Sequence, residues 1–410
     1  MNLNVGIDVS KAKLDYCGLD SAKKVIFQDK TTNTPDGAGQ IEKLILEWAK
    51  RQDDSLKIVI GMEATSVYNI HPTLYFEQSS ALSALDATVV TLNPKMTHRY
   101  SQLFDDDKTD TIDAFHIADF LRIGRYQVPV TRDEKHIALQ RLTRERYHVV
   151  KQITDGKNHF LNNLYFRLNT LEAELPTSVF GNTMMTVLSG EKYTLDEIAQ
   201  MPLQTLTQDL NQLSHGRFGD PEAIAKALQK AIRSSYRLSK TVADSVDQVM
   251  AIYINQIRML QKQLKALDKS ITDLCAVIDG SQSTQSIPGV GPVYSAGLLA
   301  EIGQIERFPS EASLASYAGL VWRRSQSGNG ERQLTPRTHN GDQYLRYYLI
   351  EAANSVRAHD PTFARFYDKK YREVPKYQHR RACVMTARKL VRVIYALLKN
   401  HELYKPAKAV

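Results

Sequence analysis

Alternating apolar and polar positions dominate the start of the chain. NLNVGIDVS, KLDYCGLD and KKVIFQDKT each read as a short strand, and the tight Ser- and Lys-containing turns between them predict an antiparallel meander. The period then becomes helical in GQIEKLILEWAKR and returns to a buried strand in LKIVIGME, which ends in Glu63. Another helix leads to the strand ATVVTLNP, and a last helix opens at KTDTIDAFHIADFL, residues 108–121. The order βββαβαβα predicts an RNase H-like α/β domain over residues 1–130, a mixed sheet with helices on both faces.

Residues 131–280 carry helical periodicity instead. One stripe runs from Val150 through Ile153, Lys157, Phe160 or Leu161, and Leu164 to Leu175. A second runs from Leu238 through Val242, Val246, Val249, Tyr253 and Ile257 to Ile278. Near-heptad spacing on two segments predicts a coiled-coil hairpin, or arms that pair between subunits; a plain helical-bundle core gives the same spacing. Residues 176–232, with Pro176, Gly181, Pro202, Gly216, Gly219 and Pro221, read as a small helical insertion at the hairpin tip.

The helix that opens at residue 108 poses a chemical question. Its apolar stripe, Ala114, Ile117 and Leu121, meets Asp113 and Asp110 when extended backwards. One account is a capping box in which Asp110 caps and Asp113 favours the positive end of the helix dipole. The other is a metal site, since carboxylates turned toward a core must be paired or bound to a cation. An RNase H-like sheet sets Asp8 midway along the first strand and Glu63 at the end of the central one, and the helix brings Asp110 and Asp113 to that edge. Four such carboxylates suit hard divalent cations, Mg²⁺ first and Mn²⁺ as a substitute, of the kind that serve phosphoryl transfer. His116 and Asp119 read as ordinary surface or partly buried residues.

Charge changes the picture further along. Residues 1–130 hold 14 Lys+Arg against 18 Asp+Glu, a net −4; residues 131–280 hold 19 against 17, a net +2; residues 281–410 hold 20 against 10, a net +10. A basic last third beside an acidic first third suggests a polyanion held by one part and worked on by another. That last third is mainly helical and opens with SIPGVGPVYSAGLLAEIG. Gly289 and Gly291, in Pro288-Gly289-Val290-Gly291, suit a helix-hairpin-helix-like turn whose backbone N–H groups grip a phosphate, or a glycine turn between packed helices. A polar loop follows with Arg323, Arg324, Arg332 and Arg337, leading to Arg346 on the next helix; these five are candidate nucleic-acid contacts. Cys17, Cys275 and Cys383 stand far apart and form neither a zinc pattern nor a disulfide framework. With no membrane-length apolar run and an N-terminus that enters a strand without a signal peptide, a cytosolic protein is expected.

GIDVSK, the strand end at Glu63 and KTDTIDA together resemble the DEDD, RuvC-like transposases of bacterial insertion sequences, a family that includes the pilin-gene invertases. SIPGVGPVYSAGLLAEIG, FPSEASLASYAGL, SQSGNG and YLRYYLIEAAN resemble that family's second signature domain. The resemblance implies a DNA recombinase guided by a structured RNA from the element, which pairs with donor and target DNA. It implies cleavage by a serine that becomes covalently joined to DNA, with Asp8, Glu63, Asp110, Asp113 and Mg²⁺ assisting. Active sites would assemble between subunits, in a dimer to tetramer associated with the bacterial nucleoid. Matching the family's Ser-Gly and counting forward to Leu345-Arg346 indicates Ser327; Ser325 is the competing candidate, and a turn-forming role is the commoner fate of a loop serine. The family's basic residue and Asn around the next Gly are replaced here by His339-Asn340-Gly341-Asp342, which makes Arg337 or Arg346 the phosphate contact. Two rival readings stand beside this one: a junction-resolving nuclease that hydrolyses with the four carboxylates alone, and a non-catalytic nucleic-acid scaffold.

Overall fold

The structure, a computed structural model, describes residues 1–52, 56–64, 67–92, 94–104, 109–124, 134–322, 326–327, 330–331 and 341–406; for Lys95 and residues 326, 327, 330 and 331 only the backbone is described. The chain divides into two compact units, residues 1–132 with 303–309, and residues 133–302 with 310–410. In the first, strands β1 (Asn2–Val9), β2 (Lys13–Asp20) and β3 (Val25–Thr32) precede helix α1 (Pro35–Ala49) and strand β4 (Lys57–Glu63). Helices α2 (Ile70–Gln78) and α3 (Ser80–Ser83), strand β5 (Thr88–Leu92), and helices α4 (Pro94–Ser101) and α5 (Asp110–Ile123) complete it.

The five strands lie in the order β3-β2-β1-β4-β5, antiparallel across β1–β2–β3 and parallel across β1–β4–β5. This is the mixed sheet that the element order predicts. β1 is its centre, so Glu63 ends the strand beside the central one, and Asp8 stands one residue from the end of β1 rather than midway. Strand alternation sends Leu3, Val5, Ile7, Ile58, Ile60 and Met62 into a core with Ile41, Ile45 and Trp48 of α1 and Phe76 of α2. The opposite face receives α5. Gly6 and Gly61 are register partners there, and a Cβ on Gly6 would lie 2.3 Å from Ala118 N and 2.4 Å from Ala114 O. One on Gly61 would lie 2.6 Å from the Leu121 side chain. The paired glycines therefore let α5 rest almost on the strand backbones.

The second unit is mainly helical. Helix α6 (Glu134–Arg167) and, after five helices, α12 (Lys240–Cys275) run antiparallel, joined by Arg146 Nε to Asp268 Oδ1 at 2.6 Å near one end and Arg167 Nε to Asp247 Oδ1 at 2.9 Å near the other. The buried stripe on α6 is Val149, Ile153, Gly156, Phe160 and Leu164, so Val149 and Gly156 occupy the places the sequence reading gives to Val150 and Lys157. Gly156 allows close approach to Ile257, whose Cγ1 would be 3.4 Å from a Cβ. On α12 the buried stripe is Ala243, Val246, Met250, Ile254 and Ile257, whereas Val242 and Val249 are 39% and 36% exposed. The intervening α7 (Leu171–Glu174), α8 (Asn182–Leu188), α9 (Leu195–Gln200), α10 (Leu203–Leu213) and α11 (Pro221–Ser234) share one core with the tip of the pair, through Phe160, Leu164, Met250 and Ile254.

Helices α13 (Ser281–Gln285), α14 (Pro292–Ile302), α15 (Glu311–Tyr317), α16 (Gln343–His359), α17 (Pro361–Arg372) and α18 (Gln378–Asn400) follow, with the two-residue strands β6 (Gln326–Ser327) and β7 (Gly330–Glu331) between α15 and α16. α14 is buried from Ser295 to Ile302 and is the central helix of this part. Gly297 lies under the Tyr348 ring of α16, where a Cβ would be 2.3 Å away, and the Tyr348 hydroxyl donates to Thr143 O of α6 at 2.7 Å. Among the described residues no helix is long and apolar enough to cross a membrane, and all three cysteines are buried and free.

Candidate functional site

The glycine seat sets where the acids stand. Two residues past Gly6 on β1 is Asp8, and two past Gly61 on β4 is Glu63, so the pleat returns both to the α5 face at the strand ends. α5 begins at this edge. Thr109 is its N-cap, accepting from Ile112 N at 3.3 Å, so the capping role proposed for Asp110 belongs to the residue before it. That leaves Asp110 and Asp113, one turn apart, free of capping duty. Gln28 of β3 donates to Thr111 O at 3.0 Å and fixes the first turn. Asp8, Asp110 and Asp113 each offer a carboxylate oxygen, all within 4.8 Å of one another.

Burial pushes the Asp8 carboxyl up to about 6, and the carboxylates of Asp113, Glu63, Asp110 and Asp15 add to the shift. Asp15 is the strand partner of Asp8 and is 3% exposed. Lys13 Nζ lies 3.1 Å from Asp15 Oδ2 and donates a short hydrogen bond to Asp110 Oδ2. The bond to Asp110 first, and the ion-pair contact with Asp15 after it, hold the ammonium above its ordinary value. Hard oxygen donors at mutual distances that one or two small ions could bridge, one of them destabilised by its neighbours' charge, fit a divalent-cation site.

Further along α5 the structure corrects the reading of His116 and Asp119, which are 5% and 1% exposed. Asp119 accepts from Lys23 Nζ, Tyr100 Oη and Arg122 Nε, each at 2.8 Å. Burial alone would raise its pKa, but these three bonds outweigh it and hold the carboxyl below the usual range. Lys23 also stands over the rings of Phe104 and Phe115, at 5.4 and 5.3 Å from their centroids. The C-terminal half of α5 is thus tied to α4 and to the β2–β3 turn.

In the second unit Ser327 pairs with Gly330 in a short antiparallel ladder, β6 with β7. The segment bearing it leaves and re-enters the helices through a narrow neck. Asp342 N donates to Tyr317 O at 2.7 Å, and Gly341, at φ +115°, approaches Gly319 so closely that a Cβ would be 2.5 Å from its nitrogen. Arg346 donates to Ala318 O at 3.3 Å, which uses part of its guanidinium inside the neck. Asp342 caps α16 by accepting from Leu345 N at 2.7 Å. Behind it, fully buried Glu301 of α14 takes a bidentate pair from Arg144 at 2.7 and 2.8 Å and a bond from Gln140 at 2.9 Å. Arg323, Arg324, Ser325, Arg332 and Arg337, with His339 and Asn340, lie outside the described residues. Gly289, at φ +91°, packs on the backbone of Ser355 and Val356, where a Cβ would be 3.0 Å away, so its small size serves internal packing; Gly291 faces open space.

Three features escape the sequence reading. Lys13 and Asp15 sit on the same strand face as the predicted acids, a signal available from the alternation of β2 opposite Asp8. The Arg144–Glu301 pair joins residues 157 positions apart, and no local pattern announces it. Lys369, Arg372, Lys376 and Arg380 are exposed around the α17–α18 turn, together with Tyr371 at 38% and Tyr377 at 80%.

Comparison with known proteins places names beside these features. A family model described as a transposase matches residues 5–166, and a model described as the transposase IS116/IS110/IS902 family matches residues 281–368. Together they cover more than half of the chain. The chain is 24% identical to an insertion element IS116 uncharacterized 44.8 kDa protein of Streptomyces clavuligerus, over 99% of this chain and 97% of that protein. It is 28% identical to an insertion element IS110 uncharacterized 43.6 kDa protein of Streptomyces coelicolor, over 46% of this chain and 51% of that protein. With the transposase for insertion sequence element IS1111A of Coxiella burnetii it shares 34% identity over 35% of this chain and 38% of that protein.

Proposed function

Since the chain is an insertion-sequence transposase of the IS110/IS116/IS902 family, we propose that it cuts and rejoins DNA through a phosphoserine at Ser327, assisted by Mg²⁺ held by Asp8, Glu63, Asp110 and Asp113. The observation that carries the metal half is the convergence of Asp8, Asp110 and Asp113 within 4.8 Å, with Glu63 leaving the neighbouring strand on the same face. A divalent ion there would offset charge on the phosphate oxygens and favour ionisation of a nearby hydroxyl. Mn²⁺ would serve in its place.

The serine half rests on the motif match. Ser327 Oγ loses its proton and attacks phosphorus, the P–O bond to the departing strand breaks, and that strand leaves as a protonated hydroxyl. The phosphoserine conserves the bond, so attack by a second strand's hydroxyl releases Ser327 and seals the DNA without an external energy source. Arg323, Arg324, Arg332 and Arg337 flank the nucleophile in sequence and compensate charge on the phosphate; Arg346 adds to them from the neck.

The three parts then divide the work: residues 1–130 hold metal, 131–280 organise subunits, and 281–410 carry the serine and grip nucleic acid. Recognition belongs to a structured RNA of the element that pairs with DNA, so this chain holds backbones more than it reads bases. Its net charge of +10 over residues 281–410 and the exposed Lys369, Arg372, Lys376, Arg380 and Tyr377 suit that task, with Gly291 as a further backbone contact. Tyr165 and Phe166 of α6 and Ile252 and Met259 of α12, each at least half exposed, support pairing of the long helices between copies in a dimer or tetramer. It acts in the bacterial cytosol, on the nucleoid.

A denaturing gel of protein with Mg²⁺, the element's RNA and labelled element-end DNA tests the reading. A protein-linked band that Ser327→Ala loses and Asp110→Ala weakens is the expected result. Cleaved DNA without an adduct, insensitive to Ser327→Ala yet abolished by Asp110→Ala, would establish hydrolysis by the carboxylates alone.

A further inference from the structure

Among the described residues, five carboxylates crowd one edge of the first unit, Asp8, Asp15, Glu63, Asp110 and Asp113, and Lys13 reaches among them. We propose that Lys13 is the resident counter-ion of this edge, bridging Asp110 and buried Asp15, and that a divalent ion taken up by Asp110 drives its ammonium onto Asp15 alone, so that Lys13 sets the site's metal affinity. The proposal rests on the metal reading above and adds two residues to it.

The position of Lys13 is built into the β1–β2 turn. Ser10 N donates to Lys13 O at 3.0 Å, and Lys13 N donates back to Ser10 Oγ at 3.2 Å, closing a tight hairpin. Within β2 the pleat sends Lys13 and Asp15 to the face that carries Asp8, and Asp15 is paired with Asp8 across the strands. Lys13 therefore arrives beside Asp8 by register, not by chance of a long side chain.

The two ends of the bridge differ. The Asp15 side chain is 4% exposed and that of Asp110 is 54% exposed. A buried carboxylate requires a partner, and among the described residues the ion-pair partner of Asp15 is Lys13, whose Nζ lies 3.1 Å from Oδ2 without a hydrogen bond to it. Asp110, open to solvent, can exchange its partner. A divalent ion and an ammonium on one carboxylate repel each other over a few ångströms, so each weakens the other's hold on Asp110. Asp15 gives the displaced ammonium a place to rest, on a stem of four carbons that allows the pivot. Lys13 thus keeps the edge compensated before loading and competes with the ion during it.

Calorimetric titration of the full chain with Mn²⁺ tests the competition directly. The Lys13→Met/Asp15→Asn double variant, which removes both charges, is expected to bind Mn²⁺ about tenfold more tightly than wild type, while Lys13→Arg stays within about twofold. Thermal unfolding in EDTA tests the counter-ion. Lys13→Met alone should lower Tm by stranding Asp15, and adding Asp15→Asn should restore it. A folded double variant with unchanged or weaker Mn²⁺ affinity would overturn the proposal and leave the metal site standing. Lys13→Met with an undiminished Tm would overturn it as well. If neither wild type nor the double variant takes up Mn²⁺, the metal reading fails and this proposal with it; uptake by the double variant alone would support it strongly.

Discussion

At the acid edge, Asp8 and Glu63 stand on neighbouring parallel strands two residues beyond the paired Gly6 and Gly61, whereas Ser327 stands on a two-residue strand in a segment secured at its neck. In the first case regular structure sets every functional side chain. Strand register fixes Asp8 against Asp15, and the seat of α5 fixes Asp110 and Asp113 against Asp8. In the second, Gly341 on Gly319, Asp342 on Tyr317 and the Arg144–Glu301 pair behind them fix where the segment begins and ends. The difference matches the chemistry proposed for each. Ligands of a small hard ion need their geometry before substrate arrives. A nucleophile that joins covalently to DNA is aligned against the phosphate it attacks.

Substitutions can break this contrast at either end. The largest effect is expected for Gly6→Ala, whose new methyl meets the backbone of Ala114 and Ala118 in α5. A loss of about 3 kcal/mol, read by denaturant unfolding, should come with loss of Mn²⁺ uptake, because the helix carries Asp110 and Asp113 away with it. Gly341→Ala places a side chain at φ +115° against Gly319. It should cost about 2 kcal/mol in the second unit and remove the protein–DNA adduct, yet leave Mn²⁺ uptake intact. If both variants lose metal, the two sites are not independently built.

Asp119→Asn sharpens the first half of the comparison. It weakens the charged bond that ties α5 to Lys23 and the one to Arg122 within the helix, and a loss of about 1.5 kcal/mol is expected at pH 7. Because the folded protein holds this carboxyl below its ordinary value, its contribution is present above the unfolded pKa and lost as pH falls through the folded one. The gap between variant and wild type should therefore close in acid, which pH-dependent thermal melts will show. Asp8→Asn should have the smallest effect and the opposite sign. With Asp8 raised to about 6, metal-free stability is fullest below the unfolded pKa and is lost as pH rises through the folded value. Removing the charge should therefore add about 1 kcal/mol in EDTA at pH 7, allowing for its partial exposure, and nothing near pH 4.

The sheet is legible in the sequence because its signals are local. Short strand patterns mark β1 and β2, a continuous apolar run marks β4, and the acid Glu63 marks where that run ends. Thr109 displaces Asp110 as the cap because a hydroxyl one residue earlier meets the same first-turn N–H groups. Asp119 is misread because, besides the local Arg122, it is held by Tyr100 of the preceding helix and Lys23 of a distant turn, and the spacing along α5 gives no sign of those two. α12 carries apolar residues on two sides, so spacing alone selects Val242 and Val249 where the fold buries Ala243 and Met250. Gly156 goes unseen in α6 for a related reason: it is buried because it brings the helices close, not because it is apolar. Asp15 is the exception, since the tight turn from Val9 to Leu14 already dictates its pairing with Asp8.

Metal-specificity rescue at Asp113 tests the central claim most directly. Asp113→Cys exchanges a hard oxygen for a softer thiolate at one proposed ligand position while leaving the other three carboxylates in place. The account predicts that DNA cleavage by this variant fails in Mg²⁺ and recovers in Mn²⁺ or Cd²⁺. Full activity in Mg²⁺, or none in any of the three ions by a variant that folds and binds DNA as wild type does, would contradict it.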